Sequence, residues 1–307
     1  MADDAGGGSV DAGLPAATDL GEVTLWVGDL DRQVDFYTHA IGLSVLSAEP
    51  HLPLNPGTPA RSRVVLGQGQ RALLVLEQRS DLTAAPPGSA GLFHTAFLFD
   101  SPAGLAAGLA RALAHRPDSV TGSADHRVSE AFYLDDPEGN GVELYRDRPR
   151  EQWTWQDGVV TMTVDPLDPA AYLVEHRWAG PAPAGPAPAI RMGHVHLRVG
   201  DIAMARDFTT RGLGFDVTFA MGGSALFVSA GGYHHHLGLN TWHSRGAGPR
   251  PVTLGLASLR LLLPDAASLR AAAQRLTRAG WAPQQGDGAV AVNDPWGTRF
   301  LLSVEPG

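Results

Sequence analysis

The sequence predicts an α+β protein made of four βαβββ modules that form two open-barrel halves. Three observations lead to this prediction: an internal repeat, regular apolar alternation where each copy begins, and a turn motif that recurs elsewhere in the chain. Residues 21–45 align without a gap with residues 193–217, and 11 of the 25 positions are identical. Such self-similarity indicates that one structural unit occurs more than once.

Both copies of the repeat have the pattern of a strand followed by a helix. Val23, Leu25 and Val27 recur at every second position, which is the period of a half-buried strand. A Gly-Asp pair then leads into a helical stretch that ends at Gly42, and glycine is common directly after helices. The second copy repeats this pattern as far as Gly214.

Related segments close the two remaining modules. The stretch DDPEGNGVEL, from Asp135, and the stretch NDPWGTRFLL, from Asn293, share Asp-Pro-x-Gly before an apolar strand. We therefore expect four units, each with a strand, a helix and about three further strands. Their approximate extents are 21–78, 91–147, 193–242 and 252–304.

The domain boundaries follow from these units. We expect a flexible tail over residues 1–18, modules 1 and 2 in a first domain over residues 19–150, and modules 3 and 4 in a second domain over residues 191–307. Residues 151–190 connect the two domains and include the stretch AGPAPAGPAPA, whose proline and alanine content suits an extended, semi-rigid linker.

Composition excludes several classes of function. The 307 residues are 44% hydrophobic, carry a net charge of −9 and include no lysine, which argues against a nucleic-acid surface and an anionic membrane. Without cysteine there are no disulfides or thiolate metal sites, so a metal must take imidazole and carboxylate ligands. No apolar run has membrane-spanning length and the first residues do not resemble a signal peptide, so we expect a cytoplasmic protein that binds small molecules.

Histidine and glutamate side chains fall on the strand faces opposite the helices. His194 and His196 alternate with apolar residues in the first strand of module 3, and His94 holds the corresponding place in module 2. Glu143 lies between two apolar residues in the last strand of module 2. Two imidazoles and one carboxylate are the set that holds non-haem Fe(II), so we predict His94, Glu143 and His194 as metal ligands, with Mn(II) as an alternative metal.

The same positions in modules 1 and 4 carry no such set. Glu22 takes the place of His194, and the places of His94 and Glu143 fall near Ser258 and at Leu301. Pairing modules 2 with 3 and 1 with 4 therefore gathers all three ligands into one cavity, whereas chain-order pairing would divide them. A second arrangement stays open, in which a partner chain in a homo-oligomer completes the site. Taken singly, His94 and Glu143 are also ordinary strand residues.

The stretches GHVHLRVGDI, DHRVSEAFYLDDPEGNGVELY and SAGGYHHHLGLNTW resemble the vicinal-oxygen-chelate superfamily and, within it, the bacterial catechol 2,3-dioxygenases. The resemblance covers roughly residues 20–304. It implies the vicinal-oxygen-chelate fold, in which paired modules curl into an open barrel around one metal. It also implies that Tyr133, ten residues before Glu143, contacts the bound substrate. We expect His126, at the start of the same stretch, to line the substrate pocket, and alternation places His196 on the cavity face beside His194.

The triple histidine at residues 234–236 raises a separate question, because neighbouring strand residues point to opposite faces. In the dioxygenases that the chain resembles, a histidine followed by this residue pattern is an acid/base beside the metal, and His235 fits. Strict alternation instead places His234 and His236 toward the cavity, unless a bulge at Gly231-Gly232 shifts the register. We predict His235, with His236 as the second choice. A polar strand face without catalytic duty is the third reading.

The resemblance implies an extradiol dioxygenase that opens a catechol or substituted catechol with O2. The alternatives are a hydroquinone-cleaving dioxygenase, a glyoxalase or thiol-transferase type of metalloenzyme, and a non-catalytic small-molecule-binding protein. The substrates are then a small aromatic diol and O2. We expect the remaining histidines to be surface residues: His39, His51, His115, His176 and His243.

Overall fold

The computed structural model describes residues 13–49, 62–176, 188–286 and 288–305. Modules 1 and 2 contain these elements: β1 (Asp19–Val27), α1 (Leu30–Asp35), β2 (Ser44–Glu49), β3 (Arg63–Gln68), β4 (Arg71–Gln78), β5 (Gly91–Phe99), α2 (Pro102–His115), β6 (Val120–Asp125), β7 (Ser129–Asp135) and β8 (Gly141–Asp147). The connecting segment contains β9 (Trp155–Gln156), β10 (Val159–Val160) and α3 (Pro169–Glu175).

Modules 3 and 4 repeat the same order of elements. They contain β11 (Ile190–Arg198), α4 (Ile202–Arg206), β12 (Asp216–Met221), β13 (Ala225–Ser229), β14 (Leu237–Asn240), β15 (Gly255–Leu263), α5 (Ala266–Arg278), β16 (Gln284–Gly286), β17 (Ala289–Asn293) and β18 (Arg299–Val304). The prediction of four βαβββ modules is therefore confirmed. None of the described helices is long and apolar enough to cross a membrane.

The helices begin and end where the sequence provides caps. An Asp or Ser side chain accepts a hydrogen bond from the first turn of each module helix, at Asp29, Ser101, Asp201 and Asp265. Helices α1 and α4 continue as π-helical turns, Phe36–Ile41 and Asp207–Leu213. Gly42 and Gly214 end these turns with φ of 95° and 93°, a conformation that costs glycine little.

The strands form two eight-stranded curled sheets. One sheet has the order β12-β13-β14-β11-β5-β8-β7-β6 and so joins modules 3 and 2; the other has the order β16-β17-β18-β15-β1-β4-β3-β2 and joins modules 4 and 1. The expected pairing of modules 2 with 3 and 1 with 4 is confirmed. Each sheet consequently takes strands from both halves of the sequence.

Alternation along β5 decides what each sheet face contacts. Thr95, Phe97 and Phe99 are fully buried, and the two phenylalanines belong to the main apolar core together with residues of the module helices. The opposite face of the strand carries His94 and Ala96. The sheet of modules 2 and 3 therefore packs one face on the helices and turns the other toward a cavity.

The predicted end of the N-terminal tail needs correction, and parts of the tail and of the linker lie outside the described residues. The tail was expected to extend to residue 18, but the Leu14 N–H donates to the Gly214 carbonyl at 2.8 Å and Thr18 is buried. The apolar Leu14 side chain packs on the core, which holds this segment in place. Residues 1–12 of the tail, and residues 177–187 of the proline- and alanine-rich linker, lie outside the described ranges.

Candidate metal centre

Three buried side chains converge on the cavity face of the sheet of modules 2 and 3. The Oε2 atom of Glu143 lies 2.9 Å from Nε2 of His94 and 3.0 Å from Nε2 of His194. The two histidine nitrogens are 3.4 Å apart. All three residues are at most 5% exposed. No second group of His, Asp or Glu ligand atoms this close occurs in the part of the chain that the structure describes.

The strand register produces this convergence. His194 in β11 and Glu143 in β8 both lie beside Ala96 of the intervening strand β5. His94 lies two residues before Ala96 and therefore on the same face. Because Ala96 ends at Cβ, it leaves space above the sheet where the three longer side chains meet.

The spacing of the donor atoms fits a divalent metal. Adjacent ligands in an octahedron with bonds of about 2.1 Å are about 3 Å apart, close to the observed 2.9, 3.0 and 3.4 Å. The set comprises two imidazoles and one carboxylate, which leaves neighbouring positions open on one side. The donor chemistry therefore suits Fe(II) or Mn(II).

The charges of these groups also favour a cation. Burial alone would raise the pKa of Glu143, but the neighbouring His194 and His94 outweigh it and hold that pKa well below its usual range. Burial lowers the pKa of His194 to about 4, against an opposing effect of Glu143. At neutral pH the site thus contains an ionised carboxylate and a neutral His194, which are the forms that bind a metal.

The corresponding position in the other sheet is closed by an ion pair. Nε of Arg260 lies 2.6 Å from Oε1 of Glu22, and Nη1 donates to the Ser303 hydroxyl at 3.2 Å. Ser258 pairs with Arg299 in the adjacent strand, and Leu301 pairs with Arg260. Among the described residues of this half, no three His, Asp or Glu side chains come together at the spacing of a metal site.

A cavity of about 780 Å³ opens above the three ligands. Its lining includes the predicted substrate-contacting residues, in addition to the ligands themselves: His126, Tyr133, His196 and His235. Its volume lies within the range of about 300 to 1,000 Å³ that is usual for small-molecule sites.

The triple histidine lies in a turn and not in a strand, contrary to the premise of the alternation argument. Strand β14 begins only at Leu237, and both Gly231 and Gly232 have positive φ, 62° and 66°. His236 makes backbone hydrogen bonds to Val195 and Val228 of the flanking strands, but regular pairing begins at Leu237, so strict alternation does not extend over the triplet. His235 lines the cavity, and its ring centroid is 4.1 Å from that of His194.

The other two histidines of the triplet face elsewhere. His236 lines a separate small cavity, and its Nδ1 accepts a hydrogen bond from the Ala230 N–H at 3.2 Å. His234 is fully buried and connects two groups: Nε2 lies 2.8 Å from Oδ1 of Asp147, and Nδ1 lies 2.7 Å from Nδ1 of His235. His236, the second choice for the acid/base, is therefore not placed beside the ligands.

This chain of hydrogen bonds assigns protons to ring nitrogens. The Asp147 carboxylate only accepts, so Nε2 of His234 donates to it. In a neutral His234, Nδ1 then accepts, and Nδ1 of His235 must be the donor. The nitrogen that remains on His235, Nε2, carries no hydrogen and can accept a proton.

Tyr133 and His126 form a second pair on the cavity wall. The Tyr133 hydroxyl lies 2.7 Å from Nε2 of His126, and Nδ1 of His126 lies 2.6 Å from the Thr163 carbonyl. A carbonyl only accepts, so Nδ1 of His126 donates and Nε2 accepts from the phenol. Burial, with the charge of Glu143, raises the pKa of Tyr133 well above 10, so the phenol keeps its proton.

His196 contacts the cavity from the first strand of module 3. The side-chain amide of Asn240 lies 3.0 Å from its Nε2. Because an amide nitrogen donates, Nε2 of His196 accepts in this pair. Burial, with the positive potential of His94, lowers the pKa of His196 well below 6.5. His196 is therefore a neutral wall residue beside the ligands.

Comparison with known proteins identifies the family. The model of the Glyoxalase/Bleomycin resistance protein/Dioxygenase superfamily matches residues 19–144 and 191–302. The protein belongs to this superfamily. A catechol-2,3-dioxygenase from Bacillus subtilis (strain 168) is 38% identical over 292 residues, which are 94% of this chain and 97% of that relative.

Solved structures of the superfamily share the fold. A protein of Bacillus subtilis subsp. subtilis str. 168, described provisionally as a dioxygenase, superposes with a TM-score of 0.66 at 14% identity, over 96% of this chain and 87% of that chain. Glyoxalase I from Zea mays has a TM-score of 0.57 at 17% identity, over 94% and 92% of the two chains. At these identities the likeness shows the fold alone.

Sequence reasoning missed some residues that line the cavity of this superfamily member or hydrogen-bond to its histidines. Asp147 carries a signal that was available, because it follows Glu143 by four residues in β8 and so shares its strand face. Asn240 and Trp242 lie in the stretch SAGGYHHHLGLNTW, where the sequence analysis assigns them no role, and Phe93 belongs to none of the quoted stretches. Residues 162–164 line the cavity from the connecting segment, which has no counterpart in the repeat.

The histidines expected at the surface have no part in the site. His39, His115 and His243 are exposed, and both His39 and His115 pair with Asp35, at 2.9 and 3.1 Å. His176 is half-buried against the Tyr172 ring, at a centroid distance of 4.3 Å. His51 lies outside the described residues.

Proposed function

We propose that this superfamily member is an extradiol ring-cleaving dioxygenase that acts on a catechol with O2 at a non-haem Fe(II) site. The observation that carries the proposal is the buried set of His94, Glu143 and His194, whose donor atoms lie 2.9 to 3.4 Å apart at the floor of an open cavity with His235 beside them. The relative named catechol-2,3-dioxygenase supports the same reaction class.

The metal would be held by one nitrogen from each histidine and one carboxylate oxygen. Bound there, Fe(II) would supply adjacent open positions for the diol and O2 and a path for electrons between them. Mn(II) takes the same ligands. In the net reaction the carbon–carbon bond next to the diol breaks, and both atoms of O2 enter a hydroxymuconic semialdehyde.

His235 is assigned to proton transfer. Its Nδ1 is committed to His234, so Nε2 is the nitrogen that can take a proton from a diol hydroxyl. Phe227 stacks on the His235 ring at a centroid distance of 4.5 Å and fixes its plane. The same nitrogen can return the proton later in the reaction.

Tyr133 is assigned to substrate orientation. Its ring lies 5.5 Å from that of His94, measured between centroids, and its hydroxyl is anchored on His126 at 2.7 Å. Because the phenol donates its proton to His126, its oxygen can accept a hydrogen bond from a diol hydroxyl without adding charge. His196 also lines the cavity, where its neutral ring limits the position of the substrate.

Oxygen uptake tests the proposed function. Protein loaded anaerobically with Fe(II) is expected to consume O2 when catechol is added and to form a yellow ring-cleavage product. His235→Ala should keep the metal and lose most turnover, because the side chain moves protons and is not a ligand. Metal retention without O2 uptake by any catechol would contradict the proposal.

The alternatives make different predictions in the same assay. A hydroquinone-cleaving enzyme would consume O2 with a para-diol and not with catechol. A glyoxalase or thiol-transferase type would consume no O2. A non-catalytic binding protein would retain bound ligand unchanged and would not depend on His94, Glu143 and His194.

A further inference from the structure

The cavity wall beyond the ligands is apolar and aromatic. Phe93 lies within 5.2 Å of the His94 ring, and its centroid is 5.6 Å from that of Trp242. The ring centroid of Phe227 lies 5.5 Å from that of His196. The apolar residues that continue the lining outward are Met162, Val164, Phe219, Met221 and Ala225.

The rim of the cavity exposes large apolar side chains to solvent. Met221 is 50% exposed, Val164 is 80% exposed and Trp242 is 38% exposed. Exposed apolar residues around a concave site are typical of surfaces that contact an apolar ligand. Val164 comes from the connecting segment, so this segment forms one side of the rim.

The wall offers no positive charge to a substrate. No arginine is among the described residues that line the cavity, and the sequence contains no lysine. Two carboxylates line it, Glu143 among the ligands and the exposed Asp135. Arg116 and Arg198 interact with Asp135 but do not line the cavity. An anionic substituent on the apolar part of the wall would therefore lose water and meet no cationic side chain among the described lining residues.

The size of the cavity exceeds the needs of one ring. A volume of about 780 Å³ is ample for a drug-sized ligand, so bare catechol leaves much of the apolar wall uncovered. A substituent on the ring would displace water from this wall and bury apolar surface.

We propose, building on the proposed function, that the preferred substrates are uncharged catechols with an apolar alkyl or aryl substituent, and that the cavity discriminates against carboxylated catechols. The wall residues Phe93, Phe219 and Phe227 accept the substituent. Residues at the rim, including Val164 and Met221, determine this specificity.

A pair of isosteric compounds tests the charge discrimination. 4-Ethylcatechol and 3,4-dihydroxyphenylacetate differ at one position, where the first has a methyl group and the second has a carboxylate. We expect kcat/KM for 4-ethylcatechol to exceed that for the acid by about tenfold or more, and to exceed that for unsubstituted catechol. Equal values for the ethyl compound and the acid would overturn the proposal.

A charge introduced at the rim should change the preference. Met221→Arg places a guanidinium at the cavity, and we expect it to raise kcat/KM for the acid relative to 4-ethylcatechol by about fivefold. Met204→Arg is the matched control, because Met204 is 51% exposed on α4 and lies outside the cavity lining. A rim variant that shifts the ratio no more than the control would contradict the assignment.

Binding measured without turnover separates this proposal from the proposed function. Trp242 lines the cavity, so titration of protein fluorescence under argon gives a dissociation constant for each compound. Tighter binding of 4-ethylcatechol than of the acid, without cleavage of either, would support the specificity and refute the dioxygenase. Cleavage of both with equal kcat/KM would support the dioxygenase and refute the specificity.

Discussion

Replacement of Asp147 by asparagine tests how the cavity histidine is held. Asp147 accepts from Nε2 of His234 at 2.8 Å, and His234 in turn orients His235 through a contact of 2.7 Å. Asparagine has the same shape and keeps one oxygen that can accept from His234. The variant therefore removes the negative charge of the acceptor and weakens the hydrogen bond, while the packing is retained.

The magnitude follows from the type of hydrogen bond that is lost. A hydrogen bond to a charged group contributes about 1.5 to 3 kcal/mol and a neutral one about 0.5 to 1.5 kcal/mol, so the substitution removes about 1 to 2 kcal/mol of orientation. Because about 1.4 kcal/mol corresponds to tenfold in rate, kcat is expected to fall about 5- to 30-fold. Asp147 is not a metal ligand, so metal content and KM should change little.

Steady-state oxygen uptake with catechol, combined with metal analysis of the same preparation, measures this effect. Tyr233→Phe is the control, because the Tyr233 hydroxyl is a second donor to Asp147, at 3.2 Å, and has no contact with His235. It should leave kcat near the parent value. Tyr233→Phe also removes the hydroxyl that lies 2.7 Å from the Tyr145 hydroxyl. This loss should lower the stability of the fold but not turnover.

Two results would refute the reasoning. An unchanged kcat in Asp147→Asn would show that the His234 contact does not orient His235 for catalysis. A parallel loss of kcat and metal would show that Asp147 supports the ligands instead. In either case the assignment of Nε2 of His235 as the proton acceptor would lose its structural basis.

Two further predictions concern the two halves of the fold. Glu143→Gln should lose most of the bound metal in elemental analysis, whereas Glu22→Gln should retain the parent content, because Glu22 pairs with Arg260. In urea denaturation at pH 8, Asp294→Asn should raise the free energy of unfolding by up to about 3 kcal/mol. At pH 4 the same substitution should change the free energy of unfolding little. Burial raises the pKa of Asp294 from 3.8 to about 6, so its stabilising contribution is complete below about 3.8 and is lost as pH rises through about 6.

Much of the fold could be predicted because its signals are periodic. Alternation of apolar residues assigns each strand residue to the helix face or the cavity face without knowledge of the partner strand. That is why His94, Glu143 and His194 could be placed on one face of the sheet. Counting ligands in each module then favoured the pairing that the sheet order shows.

The triple histidine could not be resolved by periodicity. Its residues follow two glycines with positive φ, and the regular pairing of β14 begins only at Leu237, so no repeat of two extends over all three histidines. The family pattern, and not alternation, pointed to His235. Residues 162–164 were missed for a different reason, since their place on the cavity wall depends on a contact between the connecting segment and β12 that is remote in sequence.

The two halves of the fold neutralise a strand carboxylate in two different ways. Glu22 in β1 is half-buried and Glu143 in β8 is buried, so an unpaired charge at either residue is costly. Arg260 supplies a permanent positive charge to Glu22 from 2.6 Å. Glu143 has two imidazoles as neighbours instead. Because the pKa of His194 is about 4, its ring is neutral at neutral pH and supplies no positive charge. A divalent cation is the partner that completes the second arrangement, and it also gives that half its proposed chemistry.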